Sequence, residues 1–333
     1  MATFITQLTT VCWRNGSASG NPFLKYKVEP GARSLLTVQM IDDNRVMGVP
    51  GPYPPIPGAM KGAIEFTASH CPSGVPGGST YDVDLFTGSG HVITPAPGSG
   101  LGTGYEHLNG VANDTNFHRY DTHPAGIIYP VDFRVYSDQL YQEFQGALGN
   151  LTLTFKNDDW IKANWRFEGM FLTNPSEGIS AGGSGQEAEG AGGTGQASDT
   201  PIPAINMVAD IGGVTEGVVE VVLDTGNNIL LLPDITSPGY NEPVITITRP
   251  TLRCKFVHPQ LGISGANDFW ARLRNQEDVA VTVTFGDALG HTGTLDFYGR
   301  IKDSPEITDE GGVLYLTITL MEIPDQPYTL TYT

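Results

Sequence analysis

Four stretches of the chain alternate apolar residues with threonine: Leu151–Phe155 (LTLTF), Val281–Phe285 (VTVTF), Ile245–Thr248 (ITIT) and Leu316–Leu320 (LTITL). A period of two puts Leu, Val, Ile and Phe on one face and Thr on the other, the pattern of an antiparallel strand with one dry and one wet side. Threonine suits the wet face because its branched side chain favours extended backbone. A different spacing follows Ser137-Asp138, where Leu140, Tyr141, Phe144 and Leu148 recur at i, i+1, i+4 and i+8 behind a capping residue. That spacing predicts a helix. Asn267, followed by Phe269, Trp270 and Leu273, predicts a second one. The Asp/Asn/Gly centres of Met40–Pro50 and Val222–Pro233 predict hairpin turns.

These elements recur in order. At an offset of 130, Leu151–Phe171 lies over Val281–Ile301 without a gap, sharing Thr152/Thr282, Thr154/Thr284, Phe155/Phe285, Phe167/Phe297 and Gly169/Gly299. The two helix signals, the two turn segments and the pair Ala63–Ser69 and Val244–Pro250 also match in order, which reads as an ancestral duplication. Between the copies, residues 176–200 are mostly Gly, Ala, Ser, Glu and Gln, with Ile179 the only large apolar residue. Such a segment cannot bury enough to offset its ordering entropy and reads as a flexible linker. The expected organisation is therefore a first domain, 1–175, a linker, 176–200, and a second domain, 201–333. The fold class is mainly β, with two tandem sandwich or barrel domains, each flanked by one helix. The first copy carries a long Gly/Pro-rich loop at about 71–136, whose Tyr105, Leu108, Phe117, Tyr120, Ile127 and Ile128 could dock it onto something.

Composition narrows the function. The 333 residues hold 18 Lys+Arg against 36 Asp+Glu, a formal net charge of −18. A phosphate-neutralising nucleic-acid binder needs the opposite balance. No apolar run approaches a membrane span, and Met1–Phe4 opens without a signal-peptide pattern. Cys12, Cys71 and Cys254 are too few and scattered for a disulfide framework. Synthesis in the cytosol is the expectation.

Catalytic chemistry is sparse. His107, His118 and His123 form H-x10-H-x4-H, with Cys71 well before them, but zinc sites use closer pairs on fixed elements. The other histidines, His70, His91, His258 and His291, are scattered. Asp42-Asp43 and Asp158-Asp159 could serve as paired carboxylates or calcium ligands, yet both fall at expected hairpin tips, where Asp serves turn geometry. Gly98–Gly104 (GSGLGTG) has neither the spacing nor the strand-to-helix setting of a nucleotide loop. No cysteine has a partner marking it as a nucleophile, and Trp13, Trp160, Trp165 and Trp270 read as core or interface residues rather than a sugar platform. The expectation is no enzyme: no catalytic residues, no cofactor and no metal.

The second half resembles the tail tube, or major tail, proteins of long-tailed, siphovirus-like bacteriophages. The residues that carry the resemblance are Val219–Ile235 (VEVVLDTGNNILLLPDI) with its Gly226-Asn227 pair, the Val244–Pro250 strand, the Asn267–Asn275 helix (NDFWARLRN), Val279–Ile301, and the closing Asp309–Ile323 (DEGGVLYLTITLMEI). Leu151–Phe171 leading into the linker is similar to the middle of the same proteins. The resemblance implies a β-sandwich flanked by a helix, whose copies join edge to edge into rings that stack into a hollow tube. Relatives with one domain form sixfold rings, so a duplicated chain implies a trimer with pseudo-sixfold symmetry. Implied partners are further copies of the chain, a tape measure protein, tail-tip and terminator proteins, and DNA that passes the lumen without specific binding, with no membrane partner. The implied location is the virion tail, after synthesis in the host cytoplasm. The segments 71–136 and Pro250–Ser264 are the implied reach to the next ring. An acidic, Thr-rich lining would repel passing phosphate, although the charge would equally keep a concentrated subunit soluble. Two alternatives stay open: a tail-end or baseplate ring of the same fold, and a β-rich glycan-binding or glycan-cleaving surface module.

Overall fold

The computed structural model describes residues 9–15, 24–26, 28–29, 31–41, 56–70, 83–95, 103–107, 130–137, 140–156, 159–171, 176–177, 204, 207–233, 240–257, 268–286 and 292–332. Its architecture is mainly β and antiparallel. The first half contributes β1 (Thr9–Asn15), β2 (Leu24–Tyr26), β3 (Arg33–Ile41), β4 (Ile56–Ser69), α1 (Val83–Gly88), β5 (His91–Pro95), β6 (Thr103–His107), β7 (Val131–Ser137), β8 (Leu140–Lys156), β9 (Lys162–Phe171) and β10 (Ser176–Glu177). The second contributes β11 (Val208–Ile211), β12 (Val218–Asp224), β13 (Asn228–Pro233), β14 (Tyr240–Ile247), β15 (Thr251–Val257), α2 (Phe269–Asn275), β16 (Asp278–Phe285), β17 (Gly293–Ile301), β18 (Glu306–Glu310), β19 (Val313–Glu322) and β20 (Thr329–Tyr332).

The threonine-alternating runs are strands, and their apolar faces are buried. Leu151, Leu153 and Phe155 in β8, Val281, Val283 and Phe285 in β16, and Leu316, Ile318 and Leu320 in β19 are all inside. The aligned segments form matching hairpins, β8–β9 and β16–β17, but with registers one period apart. Leu151 faces Trp165, whereas its counterpart Val281 faces Phe297 rather than Leu295. A two-residue slip keeps every side chain on its own face, so the inward set survives it. Gly169 and Gly299 mark the same spot in both. A Cβ on Gly169 would sit 2.9 Å from the Ala147 Cα, and one on Gly299 2.8 Å from the Met321 carbonyl oxygen.

Three expectations are corrected. The segment behind Ser137-Asp138 is not a helix but the long strand β8. One extra residue bulges from it, since Gln145 faces Met170 while Leu148 already faces Glu168. Gly146 sits there with φ +61°, a conformation glycine adopts without strain. Because of the extra residue, Phe144, Ala147 and Leu151 share the core face of one strand. Leu148 is buried on the opposite face, so Phe144 and Leu148, four residues apart in the stripe that predicted a helix, are both inside although they belong to a strand. The Asn267 signal does yield a helix, α2, whose capping residue is Asp268: its carboxylate accepts from the Ala271 N–H at 2.8 Å. The turn at Gly226-Asn227 closes no hairpin between its flanking strands. Gly226 is left-handed, and the chain leaves the main sheet to form β13, which pairs with β14 in a separate two-stranded sheet. Finally, the stretch 71–136, expected as one loop, includes among its described residues α1, the hairpin β5–β6 and β7, with β7 paired between β1 and β8. Leu108, Phe117, Tyr120, Ile127 and Ile128 lie outside the described residues, as do 178–200 of the linker, Asp42-Asp43 and the centre of the Met40–Pro50 turn.

Strand pairing crosses from one half to the other. β12 runs antiparallel to β15 on one side and to β8 on the other, so Val221 faces Phe155 and Leu223 faces Leu153. β20 lies between β17 and β6, with Leu330 facing Tyr105. One apolar cluster holds buried residues of both halves, and the Phe155 and Phe285 rings meet at 5.2 Å between centroids.

Candidate assembly surfaces

The structure describes Asp159, Cys12, Cys254, the four tryptophans and two of the histidines in detail. Asp159 accepts from the Trp160 N–H at 2.8 Å and pairs with Lys162 at 3.3 Å, while Lys162 also reaches Glu29 at 3.5 Å. The backbone donor first, and Lys162 after it, hold the Asp159 carboxyl below its usual range; the same pairing raises the lysine. Cys12 and Cys254 are buried, and burial pushes the Cys254 thiol far up, which leaves it unionised. Trp13 and Trp165 are core residues and Trp270 packs against the core, whereas Trp160 stands exposed. His70 and His91 are both buried. His107 lies in β6, while Cys71, Asp158, His118, His123, His258 and His291 fall outside the described residues. Among the described residues no three His, Cys, Asp or Glu side chains group as a metal site, and no helix is long and apolar enough to cross a membrane.

The polar groups that the fold does bring together sit where the halves meet. Asn150 in β8 donates through Nδ2 to the Asn227 carbonyl at 2.8 Å and accepts through Oδ1 from the Asn227 N–H and the Thr225 hydroxyl. Thr225 also accepts from the Leu151 N–H at 3.0 Å, and Asn227 donates to the Ser89 and Gly149 carbonyls at 2.7 and 2.9 Å. Nearby, His91 is fully enclosed. Its Nδ1 lies 3.1 Å from the Phe86 carbonyl, which can only accept, so Nδ1 carries the proton. Nε2 then accepts from the Tyr328 hydroxyl at 2.7 Å. Burial pushes the imidazole down to about 3, and burial with the nearby Glu322 and Asp224 charges pushes the Tyr328 phenol well up, so both stay neutral. Turn chemistry announced Gly226-Asn227, but partners 77 and 237 residues apart leave no local mark.

What remains outward is edges and apolar faces. Among the described residues, β11 pairs on one side only, with β16, and β18 on one side only, with β19. The outer face of the β13–β14 sheet carries Leu230, Leu232 and Ile247, each more than two-fifths exposed, opposite an inner face of Leu231 and Ile245. The second apolar face lies at the turn between β18 and β19. There Leu314 continues the buried stripe of Leu316, Ile318 and Leu320 past the end of the core, and Ile307 faces Leu316 from β18; Ile307 and Leu314 are 48% exposed. No alternation in the sequence separates these residues from core ones. Only the length of the strand beyond the core does. No family model and no curated protein matches the sequence.

Proposed function

We propose that this chain is a structural virion protein, not an enzyme, that assembles into the hollow tail tube of a siphovirus-like bacteriophage. Two tandem tube domains, 1–175 and 201–333, would let three copies close a ring with pseudo-sixfold symmetry, and stacked rings would conduct phage DNA to the host. The observation that carries the reading is the order of blocks from Val219–Ile235 through Val244–Pro250 and Asn267–Asn275 to Val279–Ile301 and Asp309–Ile323. One-sided strands such as β11 and β18 support it, because an open edge pairs readily with a neighbouring chain. Contacts between unlike surfaces close rings and build open stacks. Partners would be further copies, a tape measure protein, tail-tip and terminator proteins, and DNA sliding past an acidic lining without being held, with no cofactor and no membrane. The tail of the virion would be its place, reached after synthesis in the host cytoplasm.

Negative-stain electron microscopy of the purified protein, with its mass in solution, tests this. Hollow rods with a regular axial repeat, or closed rings of three chains, are the expected result. Rings that never stack would move the protein to the tail end. A single-copy species that persists when seeded with tail tips would end the assembly reading. The exposed Trp160 beside Asp159 keeps a glycan module as the competitor. Its mark would be a saturable change of tryptophan fluorescence on adding sugar.

A further inference from the structure

Among the described residues, the two apolar faces described above lie at opposite ends of the same three strands. In β12, β15 and β19, Asp224, Thr251 and Met321 share one end, and β13 leaves from there after only three residues. At the other end Val218 faces Phe256 and Val257 faces Tyr315, and the β18–β19 turn extends beyond them. Seven residues of β15 separate the ends, ~20 Å at a strand's rise. From this placement we infer that the β18–β19 turn of one copy seats on the outer face of the β13–β14 sheet of another. Ile307 and Leu314 would lie against Leu230, Leu232 and Ile247.

Physical reasons select a second copy as the occupant. Every copy supplies both surfaces, and a displacement along the strands brings one to the other. One charge pairing fits: Asp309, the register partner of Leu314 across the turn, would approach the exposed Arg249, which lies two residues past Ile247, while Glu310 is taken by Lys255 at 2.7 Å. A nucleic acid or an anionic lipid surface approaching the turn would meet those carboxylates instead. A sheet of two strands is marginal alone, so covering its outer face would stabilise it. The surfaces are unlike, so the contact is head-to-tail and leaves one free face at each end of any open row. This contact presupposes the self-assembly proposed above and names the surfaces that meet.

Full-length Leu314→Glu and Leu230→Glu proteins, each keeping one good surface, test it by sedimentation and electron microscopy. Both positions are about half exposed, and unchanged circular dichroism and melting temperature verify folding. Each variant alone should lose the long assemblies of the wild type. An equimolar mixture should give a species of twice the mass of either, because the intact turn of the Leu230 variant meets the intact sheet of the Leu314 variant. Variants that assemble like wild type, or a mixture that yields nothing beyond its components, would overturn the contact while wild-type rods keep the tube reading. A wild type that never rises above one copy, even when seeded with tail tips, would overturn both.

Discussion

The Asp132 carboxylate accepts a hydrogen bond from the Gly146 N–H at 3.0 Å, pinning the bulge that bends β8 beside β7. Asp132 is buried and Gly146 half-buried, so without the carboxylate the amide loses its acceptor where water has little access. Asp132→Ala should destabilise the protein by about 1–3 kcal/mol, read from urea unfolding, and Asp132→Asn, which keeps an acceptor oxygen, by less. Gly146→Ala meets nothing nearer than the Met170 Cε at 3.8 Å, so its cost, about 1 kcal/mol, comes from the left-handed backbone alone. Equal stability of all three with wild type would show that the bulge needs no pin.

Acid should act on His91. Its folded-state value of about 3 lies below the ordinary 6.5, so the unfolded chain binds the proton first. Its contribution is complete above pH 6.5 and is lost as pH falls from there toward 3, at about 1 kcal/mol per pH unit. Between pH 6.5 and 5, ahead of most carboxylates, His91→Gln should show a flatter dependence of stability on pH than wild type. Parallel curves would mean that the folded imidazole takes up its proton as readily as the unfolded one, so that burial does not lower it.

The matched glycines offer a symmetric test. Gly299→Ala drives a methyl against the Met321 carbonyl and the Phe297 ring, and Gly169→Ala against the Ala147 backbone and the Gln145 carbonyl. Each should cost about 1–3 kcal/mol, measured by thermal melts. A pair of neutral substitutions would remove close approach as the reason for glycine at both places.

The pairing of β8 with β12, and of β6 with β20, should hold the halves together without a covalent join. A protease site placed within 178–200 and cut in the folded protein should leave fragments that co-elute in gel filtration and melt in one transition. Asn150→Ala should lower that single transition, because Asn150 bonds Thr225 and Asn227 of the other half. Fragments that separate on cutting would show two self-sufficient units instead.

Much of the sheet is legible residue by residue, because strands such as Val281–Phe285 bury one face and show the other, and period two records that directly. The β8 segment misleads for a physical reason: around the bulge both faces of the strand are covered, so Phe144 and Leu148 are buried four residues apart, and they are two of the four positions, 140, 141, 144 and 148, that read as a helix. Asp224 and Gly226 correctly announce a turn, with the Gly226 N–H donating to the Asp224 carboxylate at 2.9 Å, but turn chemistry does not choose which strand pairs next. The outward apolar faces were not legible. Leu314 and Leu316 belong to one alternation, and only the end of the core underneath makes the first of them a surface residue.

The place of β20 between β17 and β6 carries a consequence for synthesis. Tyr328, which leads into β20, meets His91 across 237 residues of chain, so a ribosome delivers the first partner long before the second. Until the later strand emerges, β6 has an unpaired edge and the imidazole lacks its phenol, and contacts so distant along the chain close slowly. A polypeptide cut short before residue 328 would therefore keep that edge open. Newly made chains would carry that open edge from the emergence of β6 until β20 has followed it.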